Sequence, residues 1–232
     1  MNESKVIVAL DSNNINEIKN IIKKIKNEVF AVKIGYEFFL NFGLEGYKKI
    51  QDENIKIFLD LKLHDIPNTI DNAIEAIAKL NPYFTTIHIS GGDEMQKITY
   101  NNKKNVKILG VSVLTSLDKI QTNKYYNSND IKEIVCKFVR YAIKNKLDGV
   151  VCSPFEIQMI NKIKSTIKND FVIVTPGIRP DTYKTIDDQK RFMTPKQAVK
   201  LGADYLVIGR PIIKSKDPLK EIVSINSSID KK

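Results

Sequence analysis

One pattern recurs eight times between residues 6 and 229: a short run rich in Val, Ile and Phe, then a longer stretch with apolar residues at helical spacing. The first kind of run reads as a strand and the second as an amphipathic helix. The strand candidates are residues 6–10, 29–34, 55–63, 84–89, 106–114, 149–153, 171–175 and 205–208. Several are almost wholly apolar, as expected of parallel strands covered by helices. Helical patterns follow over 14–26, 37–53, 67–80, 130–145, 194–201 and 218–229, with shorter ones after Gly92 and from Pro154. Gly43 and Gly46 weaken the 37–53 helix, and residues 123–129 and 181–193 read as polar loops. Eight βα units in 232 residues fit a closed (β/α)8 TIM barrel, an α/β fold, with residues 1–232 as a single domain. An open doubly wound sheet is the alternative. It is weakened by the lack of a G-x-G-x-x-G turn after the first strand.

Charge decides which partners deserve weight. The chain carries 37 Lys and Arg against 27 Asp and Glu, a net charge of +10. Basic surfaces attract nucleic acid, yet the lysines are scattered over the helices. The arginines, which phosphate forks and base readers favour, are only Arg140, Arg179, Arg191 and Arg210. An RNA-binding barrel would need a contiguous basic stripe with exposed aromatics, and none is visible. The excess fits Lys-rich surface usage and an anionic small ligand. No apolar run reaches the roughly 18 residues of a membrane span. The start MNESKVIVALD lacks the apolar core of a secretory signal, so a cytoplasmic location is expected. Cys136 and Cys152 form neither a disulfide framework nor a zinc pattern, and both read as packed side chains. With only His64 and His88 as histidines, a dedicated transition-metal site is not expected.

Polar residues fall where such a barrel builds its sites. The run IFLDLKLHDIPNT, residues 57–69, places Asp60 and Lys62 two apart, on one face of a strand. Asp65 follows just past the strand end, so Lys62 lies between two carboxylates in the sequence. A charged pair on a buried strand is costly unless the charges neutralise each other. Asp11, Lys33, Asp60, Lys62, Thr115, Ser116, Arg179 and Arg210 all lie at or just beyond the C-terminal ends of strands, the catalytic rim of this architecture. Lys33, Asp60 and Lys62 come from neighbouring strands, so their charges can alternate within hydrogen-bond reach. An ammonium held there can stabilise developing negative charge and deliver a proton. Gly177 and Gly209 follow the seventh and eighth strands, and Arg210 adds a cationic fork. Barrels often bind phosphate between these two loops.

The residues that carry a resemblance are now in view. FLDLKLHDIPNT over 58–69 is similar to the signature of the orotidine 5′-phosphate decarboxylases. So are Leu114-Thr115-Ser116, Thr175 through Pro180, Asp188-Gln189, Met193 through Pro195 and Val207 through Pro211, all in order and at matching spacing. The Asp-x-Lys-x-x-Asp core by itself also resembles metal-dependent ketogulonate phosphate decarboxylases and hexulose phosphate synthases. Those Mg-dependent sugar-phosphate lyases are the alternative. The resemblance implies decarboxylation of orotidine 5′-phosphate to UMP, the last step of pyrimidine nucleotide synthesis, without a cofactor or metal. It implies catalytic roles for Lys33, Asp60, Lys62 and Asp65, with Asp65 and Thr69 reaching across a homodimer interface. It further implies ribose contacts from Asp11 and Lys33 and pyrimidine contacts from Thr115 and Ser116. Gln189, Gly209 and Arg210 would hold phosphate, and Arg179 would lie on the loop closing over it. The 181–188 segment lacks the glycine common among the relatives.

Overall fold

The computed structural model describes residues 4–167, 170–180, 183 and 192–230. Among them, eight parallel strands close in sequence order: β1 (Val6–Ala9), β2 (Ala31–Ile34), β3 (Ile57–Leu63), β4 (Phe84–His88), β5 (Lys107–Val111), β6 (Gly149–Val151), β7 (Val172–Thr175) and β8 (Tyr205–Ile208). β8 pairs back onto β1, with Val6 beside Leu206, so the sheet has no edge. The helices are α1 (Ile15–Ile25), α2 (Tyr36–Gln51), α3 (Pro67–Leu80), α4 (Asp93–Asn102), α5 (Lys119–Tyr126), α6 (Ile131–Lys144), α7 (Ile157–Lys164), α8 (Pro195–Leu201), α9 (Arg210–Ile213) and α10 (Pro218–Asp230).

Two layers of apolar side chains follow from strand alternation. Ile7, Ala31, Phe58, Phe84, Leu109 and Val174 point into the barrel. Val6, Val8, Val32, Leu59, Ile108 and Ile173 point outward and meet helical residues such as Ile18, Ile22, Ile70 and Ile74. Local chemistry starts and stops the helices. Asn14 accepts the Asn16 and Glu17 amides at the start of α1, and Thr194 forms a capping box with Gln197 at the start of α8. Pro67 occupies the first turn of α3, where its missing N–H costs nothing.

Several sequence expectations need correction. Residues 123–126, read as loop, are the end of α5, which Asp118 caps and Asn127 terminates in the left-handed region. The Asn- and Tyr-rich composition hid a helix that buries little more than Thr122. β5 stops at Val111 rather than 114, because Leu114 to Leu117 forms a turn with a Leu117 N–H to Leu114 carbonyl bond of 3.0 Å. α2 is broken at Gly43, with φ 54° and ψ −151°, a conformation that needs glycine. α9 begins immediately after β8 and was not anticipated. Among the described residues, no helix is long and apolar enough to cross a membrane.

Candidate active site

β2 and β3 bring opposite charges together at the C-terminal end of the barrel. Lys62 Nζ lies 2.7 Å from Asp60 Oδ2, and Lys33 Nζ lies 3.5 Å from the same oxygen. Lys33 Nζ is also 3.8 Å from Asp11 Oδ1, on the turn after β1. The result is one continuous row: Asp11, Lys33, Asp60, Lys62. Asp60 is buried, whereas the Asp11 carboxylate is largely exposed. Burial by itself would raise the Asp60 carboxyl. The Lys33 and Lys62 ammonium groups, with hydrogen bonds from Lys62 and Thr86, outweigh it and hold the carboxyl below its usual range. Removing either lysine would leave a buried charge short of a partner, which is the costly case.

β3 is not a regular strand where it carries this chemistry. Leu59 pairs with Thr85 and Leu63 with Ile87, so four steps along β3 match two along β4. The extra residues form a bulge spanning Asp60 and Lys62. Lys62 sits at φ 43°, the left-handed region, a conformation that costs a non-glycine residue of order 1–3 kcal/mol. Thr86 on β4 holds the bulge. Its hydroxyl accepts the Lys62 backbone N–H at 2.8 Å and donates to Asp60 Oδ1 at 2.9 Å. Tyr36 adds a support from α2 by donating its hydroxyl to the Leu61 carbonyl. His88, two residues beyond Thr86, stacks obliquely on His64 at 5.3 Å between ring centroids. Burial, then the nearby His64 and Lys62 charges, lowers its pKa from the ordinary value.

The opposite wall is built by the ends of β7 and β8. A cleft of about 260 Å³ is lined by the charged row, by Thr115, and by Pro176, Gly177, Arg179, Gly209 and Arg210. Its floor is apolar: Ala9, Phe58, Val151 and Val207. Gly177 has φ 77°, which an L side chain would resist. Arg179 is buried and pinned, its backbone N–H donating to Met193 and its Nη1 to the Ile178 carbonyl. The cleft therefore joins a low-dielectric floor, an ammonium aimed over it, and two guanidinium groups on the far side. Such a space suits a flat ligand with an anionic tail and a reaction that develops negative charge near Lys62. No group of three or more His, Cys, Asp or Glu among the described residues is placed to hold a metal ion.

The family model for orotidine 5′-phosphate decarboxylase / HUMPS matches residues 4–225. The chain belongs to this family. It is 42% identical over 228 residues to the orotidine 5′-phosphate decarboxylase of Ehrlichia canis, covering 97% of each chain. The enzyme of that name from Actinobacillus pleuropneumoniae is 39% identical over 232 residues, covering 98% of this chain and 99% of the other. The crystal structure of orotidine 5′-phosphate decarboxylase from Lactobacillus acidophilus superposes with a TM-score of 0.83 at 35% identity, over 99% of this chain and 100% of that one.

Within this decarboxylase-family barrel, the structure gathers Asp11, Lys33, Asp60, Lys62, Thr115, Arg179, Gly209 and Arg210 around the cleft. It does not bring in Ser116, Thr69 or Asp65, which are exposed and do not line it. The flanking of Lys62 by two carboxylates does not occur within one chain, because Asp65 turns back to accept its neighbour Ile66's N–H at 2.7 Å. Gln189 lies outside the described residues, as does most of the 181–188 segment. Thr86 and the floor residues Phe58, Val151 and Val207 were not anticipated. Thr86 had a faint signal: Thr85-Thr86 is a polar pair between the apolar Phe84 and Ile87 of β4.

Proposed function

We propose that this protein converts orotidine 5′-phosphate to UMP and CO2, as the final step of pyrimidine nucleotide synthesis in the cytoplasm, within a single catalytic domain. The row Asp11–Lys33–Asp60–Lys62, facing Arg179 and Arg210 across an apolar floor, carries this reading. The phosphate docks between Gly209 and Arg210, with Gln189 and Arg179 completing its cover. Asp11 and Lys33 receive the ribose hydroxyls, and Thr115 meets the pyrimidine edge, joined by Ser116 when the bound ligand draws their turn inward. The C6–carboxylate bond then breaks with its electron pair left on C6. Asp60 faces the carboxylate and disfavours it. Lys62 stabilises the carbanion and gives C6 a proton, so one proton is consumed per CO2 released. Phosphate binding far from C6 supplies energy that the reacting centre can use through loop closure.

The site is completed by a second copy of the chain, with Asp65 and Thr69 reaching the neighbour's cleft. Support comes from the exposure of Asp65 and from the exposed apolar side chains of Ile66, Tyr36, Leu40 and Leu44. The direct test is UMP formation from orotidine 5′-phosphate with and without EDTA. Turnover unaffected by the chelator is expected. Loss on chelation and rescue by Mg²⁺ would move the assignment to a sugar-phosphate lyase of the same family, and absence of UMP under all conditions would overturn it.

A further inference from the structure

Thr86 is fully buried and belongs to neither the charged row nor the walls of the cleft. It is nevertheless the residue on which the two strained features of the site converge. One hydroxyl serves two masters: its lone pair takes the N–H of Lys62, and its proton goes to Asp60 Oδ1. Both bonds cross from β4 to the β3 bulge, where the sheet ladder skips and the Lys62 N–H has lost its regular strand partner. Asp60 Oδ1 is thereby occupied, leaving Oδ2 as the oxygen shared by Lys33 and Lys62. Thr85, the neighbouring buried threonine, donates to the Leu59 carbonyl.

We propose that Thr86 is a positioning residue for the decarboxylation. Its hydroxyl locks the left-handed turn at Lys62 and the rotation of the Asp60 carboxylate, so that the ammonium is presented to the reacting carbon at a set distance. The proposal rests on the reaction assigned above. A threonine suits this task because its β-branch restricts χ1, so the hydroxyl enters the folded state already aimed. A hydroxyl also both donates and accepts, as the two bonds require. Valine keeps the branched shape and loses both bonds, leaving the Lys62 N–H and Asp60 Oδ1 each short of a partner.

The test compares Thr86→Val, Thr86→Ser and Thr85→Val. Thr86→Val should lower kcat roughly 10- to 100-fold, the span for losing buried hydrogen bonds to charged and backbone groups, with KM for orotidine 5′-phosphate nearly unchanged. The groups facing Asp60 are Lys33 and Lys62, with His88 further along β4. With one hydrogen bond to the carboxylate gone, the acid limb of kcat should move to higher pH. Thr86→Ser should restore kcat and the acid limb, and Thr85→Val should lower the melting temperature while leaving both in place. If the valine variant does not fold, Thr86→Ala offers the same comparison against Thr86→Ser. Wild-type kcat and acid limb in the folded variant lacking the hydroxyl, or an equal loss in the serine variant, would overturn the proposal. A substrate-free check separates it from the assigned reaction: the Asp60 carboxyl titration, followed by carbon NMR, should move upward in Thr86→Val. An unmoved titration defeats the role of Thr86. A wild-type protein that forms no UMP, yet shows the shift between variants, defeats the assigned reaction alone.

Discussion

The two ends of the barrel lumen are filled in opposite ways. At the N-terminal end, Phe30, Tyr83, Phe84 and Tyr205 pack on one another, with Phe30 4.2 Å from Tyr205 and 5.0 Å from Tyr83 between ring centroids. Lys56 covers this plug, its ammonium 4.3 Å from the Phe30 ring centre. Every large group there has an apolar or cation–π partner in the folded chain. At the C-terminal end, Lys33, Asp60 and Lys62 face a cleft, and Lys62 holds a left-handed backbone angle. Phe58 joins the two ends, lining the cleft above and meeting Phe84 edge-on at 5.7 Å below. The comparison teaches a division of labour: the N-terminal plug contributes stability, while the rim holds a charged row and a strained backbone that stability alone does not require.

The largest effect should come from removing the ammonium at the rim. Lys62→Ala is expected to lower UMP formation by about 10⁴-fold, the upper range for losing a positioned acid, and to lower the melting temperature as well, because buried Asp60 loses its nearer cationic partner. Asp65→Ala should be similarly inactive. Mixing the two variants with verified subunit exchange should make about one quarter of the sites intact in random two-fold pairs. Activity that stays at the sum of the two variants would place Asp65 in its own chain's site.

In the aromatic plug at the N-terminal end, Phe84→Ala should cost about 3–5 kcal/mol of stability, measured by urea unfolding, because a fully buried ring leaves a cavity. Turnover per folded molecule should change little. A collapse of kcat comparable to that of Lys62→Ala would erase the distinction between the two ends.

On the far wall of the rim, Arg210→Ala should weaken transition-state binding of the phosphorylated substrate by about 2–5 kcal/mol, the range for truncating a charge partner. The value is read from kcat/KM, and turnover of the dephosphorylated nucleoside should barely move. Equal losses on both substrates would make Arg210 a structural residue.

The smallest effect concerns acid. The folded pKa of Asp60 lies below its ordinary value of 3.8. Its stabilising contribution is present above that ordinary value and is lost as pH falls through the lower folded one. Unfolding free energy should therefore decline below about pH 4, and part of that slope should vanish in Asp60→Asn. An unchanged slope in Asp60→Asn would mean that the rim charges add nothing to stability.

Much of this was legible in the chain itself. Strand and helix periods are local properties, so the eight βα units, their order and the rim position of Asp11, Lys33, Asp60, Lys62, Arg179 and Arg210 could be read from spacing. Alternation also placed Asp60 and Lys62 on one face, and they do share the cleft despite the bulge between them. Residues 119–126 were missed as a helix because α5 lacks an apolar stripe, so no period was there to read. Other features depended on contacts between distant segments. The bulge in β3, the left-handed Lys62 and the double bond-making of Thr86 arise from how β3 pairs with β4, 26 residues away for the Asp60–Thr86 bond. Nothing within the 57–69 run specifies that register. The local bond of Asp65 to the Ile66 N–H was equally hidden, because spacing reports which residues are near in sequence but not which partner a loop carboxylate takes once the barrel has closed. Periodicity determines elements because each needs only its neighbours; a site is decided by tertiary structure because its hydrogen bonds and charges come from strands that meet only on closure.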